Sequence, residues 1–203
     1  MQELTAKHPP GKPFIFEAPV SLGEAQLRGG VRMLKHSYIN SGSIYSGAYI
    51  GRYCSIGYGV SIGAGHHDLS LLSTSSWFES GAGSKVKMAE PEVRIRIKND
   101  VWIGSNVMIM NGVTIGNGAC IGAGSIVTKD VPDYAIVIGV PARMLKMRFD
   151  QPIIDRLLKL KWWELDDQLL KEHTLLDIET SLEYLEGLPT SARTAVKETL
   201  IRI

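Results

Sequence analysis

"IKNDVWIGSNVMIMNGVTIGNGACIGAGSIV", residues 97–127, decides the fold. Every sixth residue is aliphatic and β-branched: Ile97, Ile103, Ile109, Ile115, Ile121 and Val127. Four places after each comes a second regular position, filled by Val101, Val107, Val113, Ala119, Ser125 and Val131. Between them stand Gly, Asn, Asp and Ser, which form turns. A helix would repeat its apolar residues every 3.6 positions and a two-faced strand every 2. A beat of six instead fits a short strand, a corner and another short strand, stacked coil upon coil. Each coil buries its aliphatic row against the next, so the core is a column.

The same beat runs earlier through Ile44, Ile50, Ile56 and Ile62, with Ala48, Cys54, Val60 and His66 four places on. Before Ile44, "LRGGVRMLKHSYINSG" (27–42) supplies lower coils with an imperfect repeat. Ile62 and Ile97 are 35 residues apart, which is not a multiple of six. Residues 68 to about 92, "DLSLLSTSSWFESGAGSKVKMAEPE", are therefore an excursion. Loops of this length inside a compact domain are usually functional or unstructured. Leu69, Leu71, Leu72, Trp77 and Phe78 predict that its first half packs against something, while "ESGAGSK" (79–85) reads as mobile.

Composition excludes several classes. A formal net charge of +1 argues against a nucleic-acid binder. No apolar stretch approaches 18 residues, so no membrane span is expected. The N-terminal sequence lacks a basic start followed by an apolar run. With two cysteines, Cys54 and Cys120, the chain reads as cytoplasmic, and no disulfide is expected.

The repeat register separates the two histidines at which the first block ends. His66 falls on the inward position and His67 one place later, outward. On extended backbone the two rings point to opposite faces. They are poorly placed to share a metal ion, and no metal is expected. His67, beside the excursion, is the candidate general base, since imidazole titrates near neutrality. Asp68, Glu90, Glu92 or a backbone carbonyl can orient it, and the sequence does not choose among them.

"GRYCSIGYGVSIGAGHHDLSLLSTSSWF", residues 51–78, resembles the entry to the active-site loop of the hexapeptide-repeat xenobiotic acetyltransferases and their sugar O-acetyltransferase relatives. Those commonly show a CSIG coil, an Asn-His pair, and a Ser-Thr pair six and seven residues after the histidine. Ser73 and Thr74 stand at that distance from His67. The resemblance puts His67 on the family's catalytic base and His66 where the family often has Asn. Ser76 and Trp77 replace the usual Pro-Phe, a change in the acceptor pocket. The resemblance implies an all-β fold, a left-handed parallel β-helix with an excursion loop and C-terminal α-helices. It also implies a homotrimer with each site in a cleft between neighbouring coils, closed by the excursion.

Residues 101–149 are similar to the C-terminal coils of acetyl-CoA-dependent members of the superfamily. Their glycines let a ligand approach backbone N–H and C=O groups that pair with pantetheine amides. Lys129, Arg143 and Lys146 offer positive charge for a nucleotide phosphate. By residue match, Ser105, Ala123, Thr128 and Lys129 line the acetyl-CoA track, with Arg143 and Lys146 as further cofactor-binding candidates. Trp77 and outward-facing Trp102 are the substrate-binding candidates, and Trp102 also suits a neighbouring subunit or the loop.

The chain thus divides into an N-terminal segment with irregular coils (1–37), a first repeat block (38–67), the excursion (68–96), a second block (97–149) and a helical extension (150–203). In the extension, Asp150 and Pro152 start a helix whose stripe is Ile153, Ile154, Leu157, Leu158 and Leu160. Trp162 and Trp163 are expected to anchor the tail on the end of the coil stack. A second helix is expected over 176–188, and a short one over 189–203. The resemblance covers about residues 38–170. The implied reaction is acetyl transfer from acetyl-CoA to a hydroxyl of a sugar or small xenobiotic. The alternatives are transfer to an amine of an amino-sugar nucleotide, and a non-catalytic scaffold. A zinc hydratase on the same solenoid would need three converging histidines, and the second block has none.

Overall fold

A computed structural model of the protein describes residues 13–45, 47–64, 67, 69–70, 72–75, 95–171, 177–188 and 200–203. The chain winds into a prism with three parallel-stranded faces. The first face holds β1 (Phe14–Glu17), β3 (Val31–Met33), β6 (Ala48–Ile50), β9 (Ile95–Ile97) and β12 (Thr114–Ile115). The second holds β4 (Tyr38–Ile39), β7 (Ser55–Ile56), β10 (Trp102–Ile103), β13 (Cys120–Ile121) and β15 (Ala135–Ile138). The third holds β2 (Glu24–Arg28), β5 (Ser41–Tyr45), β8 (Val60–Ala64), β11 (Met108–Met110) and β14 (Ile126–Val127). Two further strands pair antiparallel: β16 (Arg143–Met147) on β15 at the top, and β17 (Leu200–Arg202) on β1 at the bottom. This is the expected hexapeptide-repeat β-helix.

The beat of six is the inward row. Ile44 pairs with Ile62, Ile62 with Ile109, and Ile109 with Val127 on the third face. Ile50, Ile97 and Ile115 stack on the first, and Ile56, Ile103 and Ile121 on the second. All are buried, and each contributes about 1.5–3 kcal/mol relative to exposure. The residues four places on are buried as well, from Ala48 through Val131. His66, assigned to that row, lies outside the described residues.

The imperfect lower repeat has a simple cause. Leu27 pairs with Ile44, Met33 with Ile50 and Ile39 with Ile56, each 17 residues apart instead of 18. These coils turn one corner with a residue fewer, so a reading in strict sixes loses them. Ile97 stacks directly above Ile50, so the whole excursion leaves and returns at one corner, between the third and first faces.

The residue three places after each inward isoleucine turns the corner in the left-handed region, as with Gly59, Asn106, Gly112, Gly118 and Gly124. Glycine and asparagine suit that conformation. At the corner between the first and second faces, His36, Tyr53, Asp100 and Tyr134 occupy it instead, with φ of 61°, 61°, 56° and 57°. That corner is where the helical tail lies. Gly118 stands between Asp100 and Tyr134 in this column. A Cβ added there would overlap the Tyr134 ring. Gly118→Ala is expected to destabilise the fold by about 1–2 kcal/mol from the left-handed backbone alone, with the displaced Tyr134 adding to it. Urea unfolding with an unchanged slope measures this.

The tail begins with α1 (Gln151–Leu160), which has Asp150 at its N-cap and a proline in its first turn. The Asp150 side chain makes no capping hydrogen bond. Then come a 3₁₀ turn (Trp162–Glu164), α2 (Asp167–Lys171) and α3 (Ile178–Gly187). Trp163 is buried, but not on the end of the stack as expected. Its carbonyl accepts from Arg52 of a middle coil, and Asp167 bonds to Lys35 and His36 one coil lower. The tail therefore runs down the side of the prism along the first corner, because polar groups there draw it in. Of the helix expected over 189–203, residues 189–199 lie outside the described residues, and Leu200–Arg202 form the strand β17 instead. Phe14 and Ile203 exchange backbone hydrogen bonds, which satisfies the open edge of the lowest strand.

Candidate functional site

β8 ends at Ala64, and Met110 of the next coil pairs beside it. His67 follows three residues later, at the corner between the third and first faces. It is exposed, as its outward register predicts. Its candidate orienting groups Asp68, Glu90 and Glu92, and Trp77, lie outside the described residues. Leu69 and Leu72 do not pack as expected: Leu72 is wholly exposed and Leu69 nearly so.

Two coils above His67 on the same corner stand Thr128 and Lys129, both exposed. With strands about 4.8 Å apart, that is about 10 Å along the prism. Lys129 and Arg143 rim one cleft of about 240 Å³ at the top of the column, whose floor includes Val127, Val131 and Val137. Arg143 reaches it because β16 folds back antiparallel over β15, setting Arg143 opposite Ile138.

The remaining candidates lie elsewhere. Ser105 and Ala123 occupy the corner between the second and third faces, in adjacent coils. The Ser105 carbonyl accepts from Gly124, and its Oγ accepts from the Tyr58 backbone N–H. Ala123 and Lys129 sit at opposite ends of one rung of the third face, six residues apart. At about 3.3 Å per residue this is nearly 20 Å of chain. Trp102 is 55% exposed on the second face, in the outward column that continues through Cys120. Lys146 lies opposite Ile136 on the same face, away from the Lys129–Arg143 cleft. One chain therefore presents these residues on two corners and on the second face, which does not lie between those corners.

Both cysteines are free. Burial pushes the Cys54 thiol up to about 12, so it packs as core and is no nucleophile. Burial also raises Cys120. Among the described residues, no group of three His, Cys, Asp or Glu side chains is placed to hold a metal ion. No described helix is long and apolar enough to cross a membrane.

Sequence reasoning missed one polar cluster. Glu17 and Arg52 form a buried bidentate pair, Nε to Oε2 at 2.8 Å and Nη2 to Oε1 at 3.0 Å. Beside it, Asp167 accepts from Lys35 Nζ at 2.6 Å and from the Tyr53 hydroxyl at 2.9 Å, with His36 Nε2 at 2.8 Å. The carboxyl is partly desolvated, but its three polar partners hold it well below the usual carboxylate range. The available signal was His36 and Tyr53 at corner positions that normally take glycine or asparagine.

A solenoid of hexapeptide coils, interrupted once at a histidine and topped by a cleft that Lys129, Arg143 and Asp130 line, defines the class. The family model described as bacterial transferase hexapeptide (six repeats) matches residues 94–129. The chain is 38% identical over 144 residues to a probable macrolide acetyltransferase of Lysinibacillus sphaericus, covering 67% of this chain and 80% of that one. It is 43% identical over 121 residues to a chloramphenicol acetyltransferase of Klebsiella aerogenes, covering 56% of this chain and 58% of that one. A hexapeptide-repeat acetyltransferase from Vibrio cholerae, solved in complex with acetyl coenzyme A, is 24% identical with a TM-score of 0.35, covering 68% of this chain and 72% of that one. The chain belongs to the hexapeptide-repeat acetyltransferases of xenobiotic type. The matches span about three fifths of the chloramphenicol acetyltransferases' length.

Proposed function

We propose that the protein is an acetyltransferase that moves acetyl from acetyl-CoA to a hydroxyl of a sugar or small xenobiotic, with His67 as general base. The observation that carries this reading is the shared corner. Lys129 and Arg143 rim one cleft at its top, and His67 leaves the same edge about 10 Å below. An elongated donor with phosphates at one end and a thioester at the other can lie along that edge, its charged end at the cleft and its thioester toward the base. Acetyl-CoA supplies an activated acyl carbon and a thiol leaving group. His67 takes the proton from the acceptor hydroxyl as its oxygen attacks, and returns it to the departing sulfur. Backbone N–H groups of the second block serve as oxyanion donors. No acyl-enzyme is required: Cys54 is buried in the core, and Cys120 lies on the second face, off the corner that carries His67.

The placement of Ser105, Ala123, Trp102 and Lys146 supports a homotrimer. A small molecule cannot touch them and His67 on one chain, but the second face of a neighbouring copy can complete the cleft. The bare Leu69 and Leu72 favour the same arrangement, since exposed large apolar groups mark contact surfaces.

The test is thiol release from acetyl-CoA with hydroxyl and amine acceptors, run with sedimentation of the working enzyme. Release with hydroxyl acceptors from a trimer is expected. Amine acceptors alone would favour the N-acetyl reading. A turning-over monomer would overturn the shared site, and failure to bind CoA would leave a scaffold. Lys129→Ala and Arg143→Ala are each expected to raise the Kd for CoA about tenfold, the scale of a lost charge-assisted hydrogen bond. Their effect on a pantetheine thioester lacking the nucleotide should be nil.

A further inference from the structure

The corner between the first and second faces, under the helical tail, holds a half-open cavity of about 310 Å³. It is a different edge of the prism from the one that carries His67 and Lys129. Its walls come from the corner column (Asp100, Tyr134), the end of the upper hairpin (Arg148), the 3₁₀ turn (Trp162) and the tail helices (Leu170, Leu182). We propose that this cavity binds a small uncharged amphiphile, an apolar ring or chain ending in one hydroxyl or amide.

Three features choose that class. The volume is that of a small-molecule site, and the lining is mostly aliphatic and aromatic, which favours an apolar body. The charged groups in the wall cancel. Arg148 Nη1 donates to Asp100 Oδ2 at 3.0 Å and to the Gly118 carbonyl at 2.7 Å, and its guanidinium lies over the Tyr134 and Phe149 rings. An ionic ligand would lose its water and meet a neutral pair, with nothing to compensate it. A polar end is nevertheless called for. Tyr134 is 1% exposed, and its hydroxyl makes no hydrogen bond of ordinary geometry among the described residues, although the Trp162 indole is near. Buried hydroxyls are normally paired. A ligand hydroxyl is the kind of group that would pair with Tyr134, with the Asp100–Arg148 pair in the same wall. Burial also raises the Asp100 carboxyl, consistent with its sheltered position in that wall.

Phenol is the probe, titrated into the whole protein by calorimetry and by thermal shift, with toluene and benzoate alongside. Phenol is expected to bind saturably and to raise Tm, and to bind more tightly than either comparison compound. Tyr134→Phe should weaken phenol about fivefold, the worth of one neutral hydrogen bond, and leave toluene unchanged. Ser181→Leu, which fills the cavity from α3, should abolish binding of both. The proposal is overturned if phenol does not bind the wild-type protein, as when the cavity holds water alone. It is also overturned if benzoate binds more tightly than phenol, if phenol and toluene bind equally, or if Tyr134→Phe keeps full phenol affinity.

Discussion

His67→Ala is expected to lower kcat about 10²–10⁴-fold, the usual worth of a positioned general base. The Kd for CoA should be unchanged, because the donor's charged end is assigned to Lys129 and Arg143, two coils away. The exposed position of His67 at a strand end makes a folding defect a poor explanation for lost turnover. Tm and sedimentation of the variant check that directly. The pH profile gives a second readout. A base must be unprotonated to act, so kcat/KM of the wild-type enzyme falls as pH falls, and that acid limb should vanish in His67→Ala. Full turnover in the variant would remove His67 from the mechanism. Loss of CoA binding would give it a different role.

The second large effect concerns stability. Asp167→Ala leaves Lys35, whose side chain is only 5% exposed, without its counter-charge. It also leaves His36 and Tyr53 without their acceptor. Breaking a buried pair on one side costs about 3–5 kcal/mol. Asp167 itself is 34% exposed, so water relieves part of that. A loss of about 2–3 kcal/mol is expected. Denaturant unfolding measures it, and a Lys35→Met/Asp167→Ala cycle should recover part of the loss. The sign of the pH dependence follows from the depressed carboxyl. Its contribution is fully present above the ordinary carboxylate range and disappears as pH falls through the lower folded value. The gap between wild type and variant should therefore be present above the ordinary carboxylate range, begin to narrow below about pH 4 and close only in stronger acid. An undiminished gap in strong acid would show that the carboxylate is not what holds the tail.

The two predictions divide between what was legible in the chain and what was not. His67 could be placed from its register alone. A strict six-residue period fixes which way each side chain faces, and no distant contact alters that. For the same reason the column of isoleucines, the inward Cys54 and the single break after the histidine pair were readable. The 17-residue lower coils blurred the count without changing the architecture. The course of the tail was not readable. α1 and α3 follow from apolar spacing, but where the tail docks depends on the Trp163 carbonyl and Asp167 reaching polar partners more than a hundred residues away.

The sequence by itself determined a stacked column with an interruption beside an outward histidine, because local periodicity is enough to set a solenoid's core. Only the tertiary structure decided that the tail lies along the corner between the first and second faces, that Lys129 and Arg143 share a cleft, and that Ser105, Ala123, Trp102 and Lys146 lie off the corner that carries His67 and Lys129. Those facts rest on how corners stack in space and on long-range charge pairing, which no local pattern encodes. The left-handed corner positions join the two levels. Glycine there records a turn, whereas His36, Tyr53, Asp100 and Tyr134 record a turn with something bound against it.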